Sequence, residues 1–149
     1  MTGTAAGTDV TVTLSLPPSA AHVRTARLIA AAMARRSGVG EEILDEVRLA
    51  VGEACARAVR MQERQGMSAP VTVEFSETGR FLVSVVDGAK TGSGDELTAM
   101  ANGAGAPTPW ADPSGDALGL ALLGAVVQDL VVDQEVDGGT RVTMSWPIV

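Results

Sequence analysis

The order of apolar and polar residues along the chain predicts a series of strands and helices. Residues 10–16 alternate apolar and polar side chains, which is typical of a half-buried strand, and two prolines end the run. Apolar residues then recur every three or four positions over 20–37, and again from Glu41 to about Gln65. This spacing predicts two helices, because it places the apolar side chains on one face.

The second half of the chain predicts two hairpins around one more helix. Residues 71–76 and 81–86 read as two strands joined by a short turn, and 81–86 is the more uniformly apolar of the two. Helical spacing returns over 116–129. A last hairpin uses residues 130–132 and 142–146, around the turn-forming glycines of Asp137-Gly138-Gly139.

Between these parts, residues 89–114 are rich in Gly, Ala, Pro, Thr and Ser, with at most a short helix at 95–101. A connection of this length in a compact domain is usually a functional lid or a disordered segment, and we expect a lid loop here. The whole order fits an α+β two-layer sandwich, with helices on one face of a mixed, mainly antiparallel sheet. The length suits one domain over residues 1–149, with residues 1–9 flexible.

Composition narrows the classes of function. The chain has 18 acidic and 11 basic residues, a net charge of −7, which argues against a nucleic-acid surface and favours a basic partner. The single cysteine, Cys55, lies on the apolar side of its helix and is expected to be buried, which suits a reducing cytoplasm. No apolar run reaches the roughly 20 residues that span a bilayer, and the start of the chain is unlike a signal peptide. We expect a soluble, cytoplasmic protein with no metal site, since His22 is its only histidine.

Glu53 and Arg57 are the most informative residues, because they lie one helical turn apart in the second predicted helix. A surface ion pair is the simplest interpretation, since Glu four residues before a base stabilises a helix by about 0.2–0.5 kcal/mol. Three further motifs follow in order and change this interpretation: Asp87-Gly88 after a strand, Gly115-Asp116-Ala117-Leu118 at a helix start, and Gly138-Gly139-Thr140 in the last hairpin.

This order of motifs over roughly residues 10–147 resembles the histidine-kinase-like ATPase domain, and most closely the anti-sigma-factor serine kinases of bacterial partner switching. In that family the helical motif is Glu-Ala-Cys-x-Asn-Ala, where Glu is the general base toward a substrate serine and Asn ligates magnesium. The resemblance therefore assigns Glu53 as the catalytic base. It also assigns the nucleotide-binding positions, which are Arg57, Asp87, Gly88, Gly115, Leu118 and Thr140.

Several positions depart from the family pattern in ways that weaken the expected magnesium-ATP site. Arg57 replaces the metal-ligating Asn, and a guanidinium has no acceptor oxygen for a hard cation and repels it. It would instead suit phosphate oxygens. Ala89 and Ala117 each replace a family glycine. The pattern thus predicts a phosphate-contacting Arg57 at best, and weak or absent magnesium-ATP binding.

The resemblance implies a partner-switching regulator, and three hypotheses follow. The first is an anti-sigma factor that sequesters a sigma factor, is released by an anti-anti-sigma protein, and has an eroded nucleotide site. The second is an active ATP-dependent serine kinase that acts on the anti-anti-sigma protein through Glu53. The third is a scaffold or decoy for anti-anti-sigma proteins that has no catalytic role. The family also implies a homodimer, while the charge and the lack of a long apolar run predict no direct nucleic-acid or membrane contact.

Overall fold

A computed structural model describes residues 11–89 and 116–149, with side chains described from Gly119 onward in the second range. The predicted flexible segment 1–9, the short helix at 95–101 and, apart from Ala89, the lid at 89–114 lie outside the described residues. The alternating and the uniformly apolar segments of the sequence form strands where they were predicted. They are β1 (Thr11–Leu16), β2 (Val71–Glu77), β3 (Arg80–Asp87), β4 (Asp129–Gln134) and β5 (Thr140–Pro147).

The five strands form one sheet in the order β1-β2-β3-β5-β4. All four neighbouring pairs are antiparallel, so the sheet of the described residues is antiparallel rather than mixed. Two of these pairs are hairpins, β2 with β3 and β4 with β5. The pairing of β3 with β5 places Asp87, at the end of β3, opposite Thr140, at the start of β5.

Three helices complete the described structure: α1 (Val23–Ser37), α2 (Leu44–Arg64) and α3 (Asp116–Val126). The Ser19 side chain accepts a hydrogen bond from the Ala21 N–H at 3.3 Å and so caps the short 3-10 turn that leads into α1. Gly38 ends α1 in the left-handed region, with φ 100°. The prediction that α3 runs to Asp129 is wrong, because Asp129 pairs with Ser145 as the first residue of β4 and sheet pairing ends the helix early.

The core lies between the helices and one face of the sheet. Alternate residues of β2, β3 and β5 are buried there, and the aromatic rings form a row with centroids 6.4 Å apart for Phe75 and Phe81 and 6.2 Å apart for Phe81 and Trp146. α2 is the central helix and packs against α1, α3 and β3. The expected two-layer α+β architecture is therefore confirmed, and it brings α2 over the strand ends that carry Asp87 and Thr140.

Candidate functional site

The candidate site lies where α2 covers the end of β3 and the start of β5. α2 faces the sheet because its apolar residues recur at helical spacing, and Val47, Ala50, Val51, Ala54 and Ala58 are all buried. This orientation also carries Arg57 inward, since Arg57 falls on the same stripe as Ala54 and Met61. Arg57, Asp87 and Gly139 therefore meet in space, although they are far apart along the chain.

Arg57 forms a buried ion pair with Asp87. Its Nη1 atom donates to Asp87 Oδ2 at 2.9 Å, and the two side chains are 1% and 0% exposed. The interpretation of Arg57 as part of a surface ion pair with Glu53 is therefore wrong. A buried charge needs a partner of opposite sign, and Asp87 at the end of β3 is the partner that α2 covers.

The other oxygen of Asp87 is also engaged. Oδ1 accepts a hydrogen bond from the Ala89 N–H at 2.9 Å, which closes a tight turn directly after β3. Each carboxylate oxygen thus has a donor from within the protein, and Thr140, opposite Asp87 in the sheet, is buried as well. An adenine amino group that approached Asp87 would compete with a fully buried cation.

Gln62 fixes the backbone beyond Asp87, and the sequence analysis missed it. Gln62 is fully buried, its Oε1 accepts from the Gly88 N–H at 2.8 Å, and its Nε2 donates to the Ala69 carbonyl. Its position in the sequence could have identified it, because Gln62 continues the apolar stripe of Cys55 and Ala58. A polar side chain in such a stripe is expected to satisfy buried backbone groups.

The glycines of the last hairpin allow a close approach to Asp87. A Cβ atom added at Gly139 would lie 2.3 Å from the Asp87 carbonyl oxygen and 3.1 Å from the Gly88 Cα. The neighbouring Gly138 has φ 95°, as the tight turn requires. Gly139 is therefore needed for backbone contact between two parts of the candidate site, as well as for the turn that the sequence predicted.

Glu53, the residue assigned as catalytic base, lies apart from the buried pair. Its carboxylate accepts a hydrogen bond from Arg60 Nη2 at 3.3 Å, and its side chain is 25% exposed. Gly119 of α3 packs over this second pair, since a Cβ there would lie 3.2 Å from Glu53 Oε2. Beside it runs a groove between α2 and α3, lined by Leu49, Ala50, Glu53, Leu122, Leu123 and Val126.

The side-chain environment of two further nucleotide-binding candidates is not described. Gly115 lies outside the described residues, and Leu118 lies in α3 with its side chain undescribed. Arg57 offers no oxygen to magnesium, and the described residues hold no group of three or more His, Cys, Asp or Glu side chains that suits a metal. The residues present at Arg57 and Asp87 therefore do not fit magnesium-ATP in the way that the family motif does.

Cys55 faces the core from the same helix. It is fully buried, as predicted, and burial raises the pKa of its thiol to about 12. A thiol with this pKa stays protonated at neutral pH, so Cys55 acts as a small apolar side chain beside the site.

Comparison with known proteins agrees with this geometry. The family model described as the histidine kinase-like ATPase domain matches residues 16–146. The chain belongs to this family. The family membership that the four motifs indicated is thus confirmed, and with it the fold. A search of curated proteins gave no match.

Among solved structures, a similar fold occurs in a chain of the SiaB-SiaC complex from Pseudomonas aeruginosa. The TM-score is 0.68 and the sequence identity is 12%, with 95% of this chain and 92% of that chain covered. At this identity the likeness concerns the fold, which is that of a histidine kinase-like ATPase domain. Within the described residues, no helix has both the length and the apolar character needed to cross a membrane.

Proposed function

We propose that this protein is a cytoplasmic anti-sigma factor of the partner-switching type whose nucleotide site is eroded. It would hold a sigma factor and release it when an anti-anti-sigma protein competes. The observation that carries the proposal is the buried ion pair between Arg57 and Asp87. This pair uses the carboxylate that a member of the family needs for adenine, and it does so in a protein that keeps the family fold.

The energetics of this pair argue against ordinary nucleotide binding. Separating one partner of a buried ion pair typically costs about 3–5 kcal/mol, because the other charge is left without compensation. Since each 1.4 kcal/mol is a factor of ten in affinity, that cost corresponds to a roughly 10²- to 10⁴-fold loss for a ligand that must displace Arg57. Arg57 also supplies no ligand for magnesium.

Two observations support a role in binding other proteins. The solved chain with a similar fold comes from a complex of two different proteins, SiaB and SiaC. The net charge of −7 also suits a partner with basic patches, such as a DNA-binding protein, because opposite charges increase the rate of encounter. The proposal includes a homodimer of this chain as the form that captures the sigma factor.

Glu53 favours a second candidate function, an active serine kinase of the same family. Glu53 keeps the family base at the right place in α2, remains 25% exposed, and borders the groove between α2 and α3. A carboxylate there is positioned to accept a proton from a substrate hydroxyl. Its contact with Arg60 opposes this role, because the hydrogen bond from Arg60 Nη2 occupies Oε2, one of the two oxygens that could accept the proton.

Transcription in vitro separates these functions. The purified chain is added to RNA polymerase with each sigma factor of the same genome, without ATP. We expect one sigma factor to be inhibited, and the inhibition to be relieved by the cognate anti-anti-sigma protein whether or not ATP is present. Inhibition of no sigma factor would overturn the proposal and favour a scaffold, while phosphate transfer from labelled ATP to the competitor would favour the kinase.

Calorimetry tests the eroded site directly. We expect the native chain to bind magnesium-ATP weakly or not at all, and Arg57→Asn to raise the affinity, most visibly together with Ala117→Gly. The matched control is Arg80→Asn, which also removes a paired arginine, but from the opposite face of the sheet. Micromolar binding of magnesium-ATP by the native chain would show that the ion pair does not block the site.

A further inference from the structure

A cavity of about 310 Å³ opens between the C-terminal end of α1 and the strands β1, β2 and β3. Its apolar lining consists of Val12, Met33, Phe75 and Phe81. Phe81 and Asp87 lie at opposite ends of β3, six residues or about 20 Å apart. The cavity is therefore separate from the end of the sheet that carries the buried ion pair.

The cavity exists because α1 offers only short side chains to the interior. The buried residues of α1 are all alanines, and they are Ala26, Ala30, Ala31 and Ala34. This helix packs more closely against α2 than against β2. Since alanine side chains do not reach the outer strands, a space remains beneath the end of α1 that larger side chains would otherwise fill.

The accessible part of the cavity is both apolar and small. Phe75 and Phe81 form the buried inner wall, while Val12 is 39% exposed and Met33 of α1 is half-buried. Val12 lies opposite Phe75 in the pairing of β1 with β2. A volume of about 310 Å³ is at the lower end of the range of about 300–1,000 Å³ for small-molecule sites. The cavity thus suits one small ligand with an apolar group.

Two opposite charges line this cavity without pairing with each other. Arg36 of α1 and Glu77 at the end of β2 are both exposed there. Within the described residues neither forms an ion pair, whereas the neighbouring Arg35 pairs with Glu41 at 3.0 Å. A guanidinium binds a carboxylate, and a carboxylate accepts hydrogen bonds from an ammonium group. The rim therefore offers one partner to each charge of a zwitterion.

We propose that this cavity binds a free α-amino acid with a large apolar side chain. The ligand carboxylate binds Arg36, the ligand ammonium binds Glu77, and the ligand side chain packs against Val12 and Met33. A fatty acid or a simple amine satisfies only one of the two charges, and a small amino acid leaves the apolar lining uncovered. The inference goes beyond the proposed function, because this site uses neither residue of the buried ion pair.

The test titrates the full chain with L-phenylalanine and with three analogues that each lack one feature. Hydrocinnamate lacks the ammonium, phenethylamine lacks the carboxylate, and L-alanine lacks the apolar ring. Ligand-observed NMR, which detects weak binding, reports all the affinities. We expect each analogue to bind at least about fivefold more weakly than phenylalanine, because each loses one set of contacts.

Charge-removing variants test the two polar contacts separately. Arg36→Gln should weaken phenylalanine binding about fivefold without weakening that of phenethylamine, which has no carboxylate to lose. Glu77→Gln should weaken phenylalanine binding to a similar extent without weakening that of hydrocinnamate, which has no ammonium. The matched control is Arg35→Gln, which removes the adjacent arginine from an exposed ion pair outside the cavity and should change binding less than about twofold.

A fourth variant blocks the cavity itself. Val12→Phe places a larger side chain at a position that is 39% exposed, so we expect the fold to be retained and phenylalanine binding to fall at least about tenfold. Circular dichroism checks the fold of each variant.

Several results would overturn the inference. These are no binding of phenylalanine, equal binding of phenylalanine and hydrocinnamate, or equal effects of Arg36→Gln and Arg35→Gln. Binding of phenylalanine only by a chain that lacks residues 1–9 would also overturn it, because the start of the chain would then be the occupant. The transcription experiment is independent of all these measurements, so failure of either hypothesis leaves the other in place.

Discussion

At the residue scale, Arg57 shows how one substitution changes both the chemistry and the packing of a site. An arginine at this position of α2 cannot supply an oxygen to a metal, but its length lets it reach Asp87 beneath the helix. A pair with side chains 1% and 0% exposed is a poor source of net stability, because desolvation of both charges opposes their attraction. Removing one partner should therefore lower the free energy of unfolding more than the loss of the pair as a whole, and this difference is measurable.

We predict that Arg57→Met lowers the free energy of unfolding by about 3 kcal/mol, because it leaves the Asp87 carboxylate buried without its cation. The double variant Arg57→Met with Asp87→Asn should lose about 2 kcal/mol less than the sum of the two single losses. Urea unfolding followed by tryptophan fluorescence measures all three values. The control is Arg80→Met, which breaks an exposed pair with Asp129 and should cost less than about 1 kcal/mol. Additive losses would show that the pair is not energetically coupled.

Cys55 gives a second prediction at this scale, concerning alkaline pH. Burial raises the pKa of its thiol from 9.0 to about 12, so above pH 9 the unfolded chain loses a proton that the folded chain keeps. Stability is therefore fully present below pH 9 and falls as the pH rises toward 12. We expect a loss of about 1.4 kcal/mol per pH unit above pH 9, visible as a lower urea midpoint.

The composition of the chain leaves few other groups that titrate in the same pH range as the thiol. The chain has no tyrosine, and its single lysine is Lys90, so few other groups titrate between pH 9 and pH 11. The control is Cys55→Ala, which should be less stable at pH 7 but should lack the alkaline loss. If the native chain and Cys55→Ala weaken equally between pH 9 and pH 11, the thiol is not responsible.

At the element scale, the sequence pattern accounts for most of the described fold. Period-two alternation predicted β1, β2 and β5, short apolar runs predicted β3 and β4, and helical spacing predicted α1 and α2. The end of α3 was misplaced since Leu118, Leu122 and Val126 continue as an apolar stripe, whereas the pairing of Asp129 with Ser145 depends on a strand further along the chain. Helix propensity depends on neighbouring residues, whereas sheet pairing joins residues that are far apart along the chain.

The same distinction explains what could be predicted about the site. The inward position of Arg57 follows from the stripe of Ala54 and Met61, but its partner lies 30 residues away, where no local pattern points. Gln62 is similar, because the Gly88 N–H that it binds lies 26 residues away, beyond the end of β3. The motifs predicted a candidate site, and tertiary contacts determine which of its side chains form pairs.

The last hairpin gives a prediction about contact between elements. We expect Gly139→Ala to destabilise the protein by about 1–3 kcal/mol, because its Cβ would lie 2.3 Å from the Asp87 carbonyl oxygen and a strand end must shift. Thermal unfolding followed by circular dichroism measures this loss. The control is Gly79→Asn in the β2–β3 turn, where φ is +82° and no atom lies within 4 Å of the added Cβ. Asparagine tolerates that conformation, so a control as unstable as Gly139→Ala would contradict the role of close approach.

At the scale of the whole molecule, the exposed faces of the helices and the buried strand ends are separate regions. The buried pair of Arg57 and Asp87 lies at the sheet end beneath α2, while exposed residues of α1 such as Arg24 and Leu28 lie on the outside of the helices. A partner on that outer surface would not need to displace Arg57. The proposed exchange of partners is thus compatible with a nucleotide site that stays closed. The rate at which the chain encounters each partner should depend on its net charge.

Salt should therefore act in opposite directions on the two proposed assemblies. Two chains of −7 repel each other, so we expect dimerisation to strengthen between about 0.01 M and 0.1 M salt, where the Debye length falls from about 30 to 10 Å. Over the same range, capture of a basic sigma factor should slow by about tenfold. Analytical ultracentrifugation and stopped-flow fluorescence measure the two effects. The matched control carries Glu63→Lys, Glu77→Lys and Asp133→Lys at exposed positions, which changes the net charge from −7 to −1 and should flatten both dependences. If capture by the native chain speeds up with salt, charge attraction does not bring the two proteins together, and apolar contacts must drive the encounter instead.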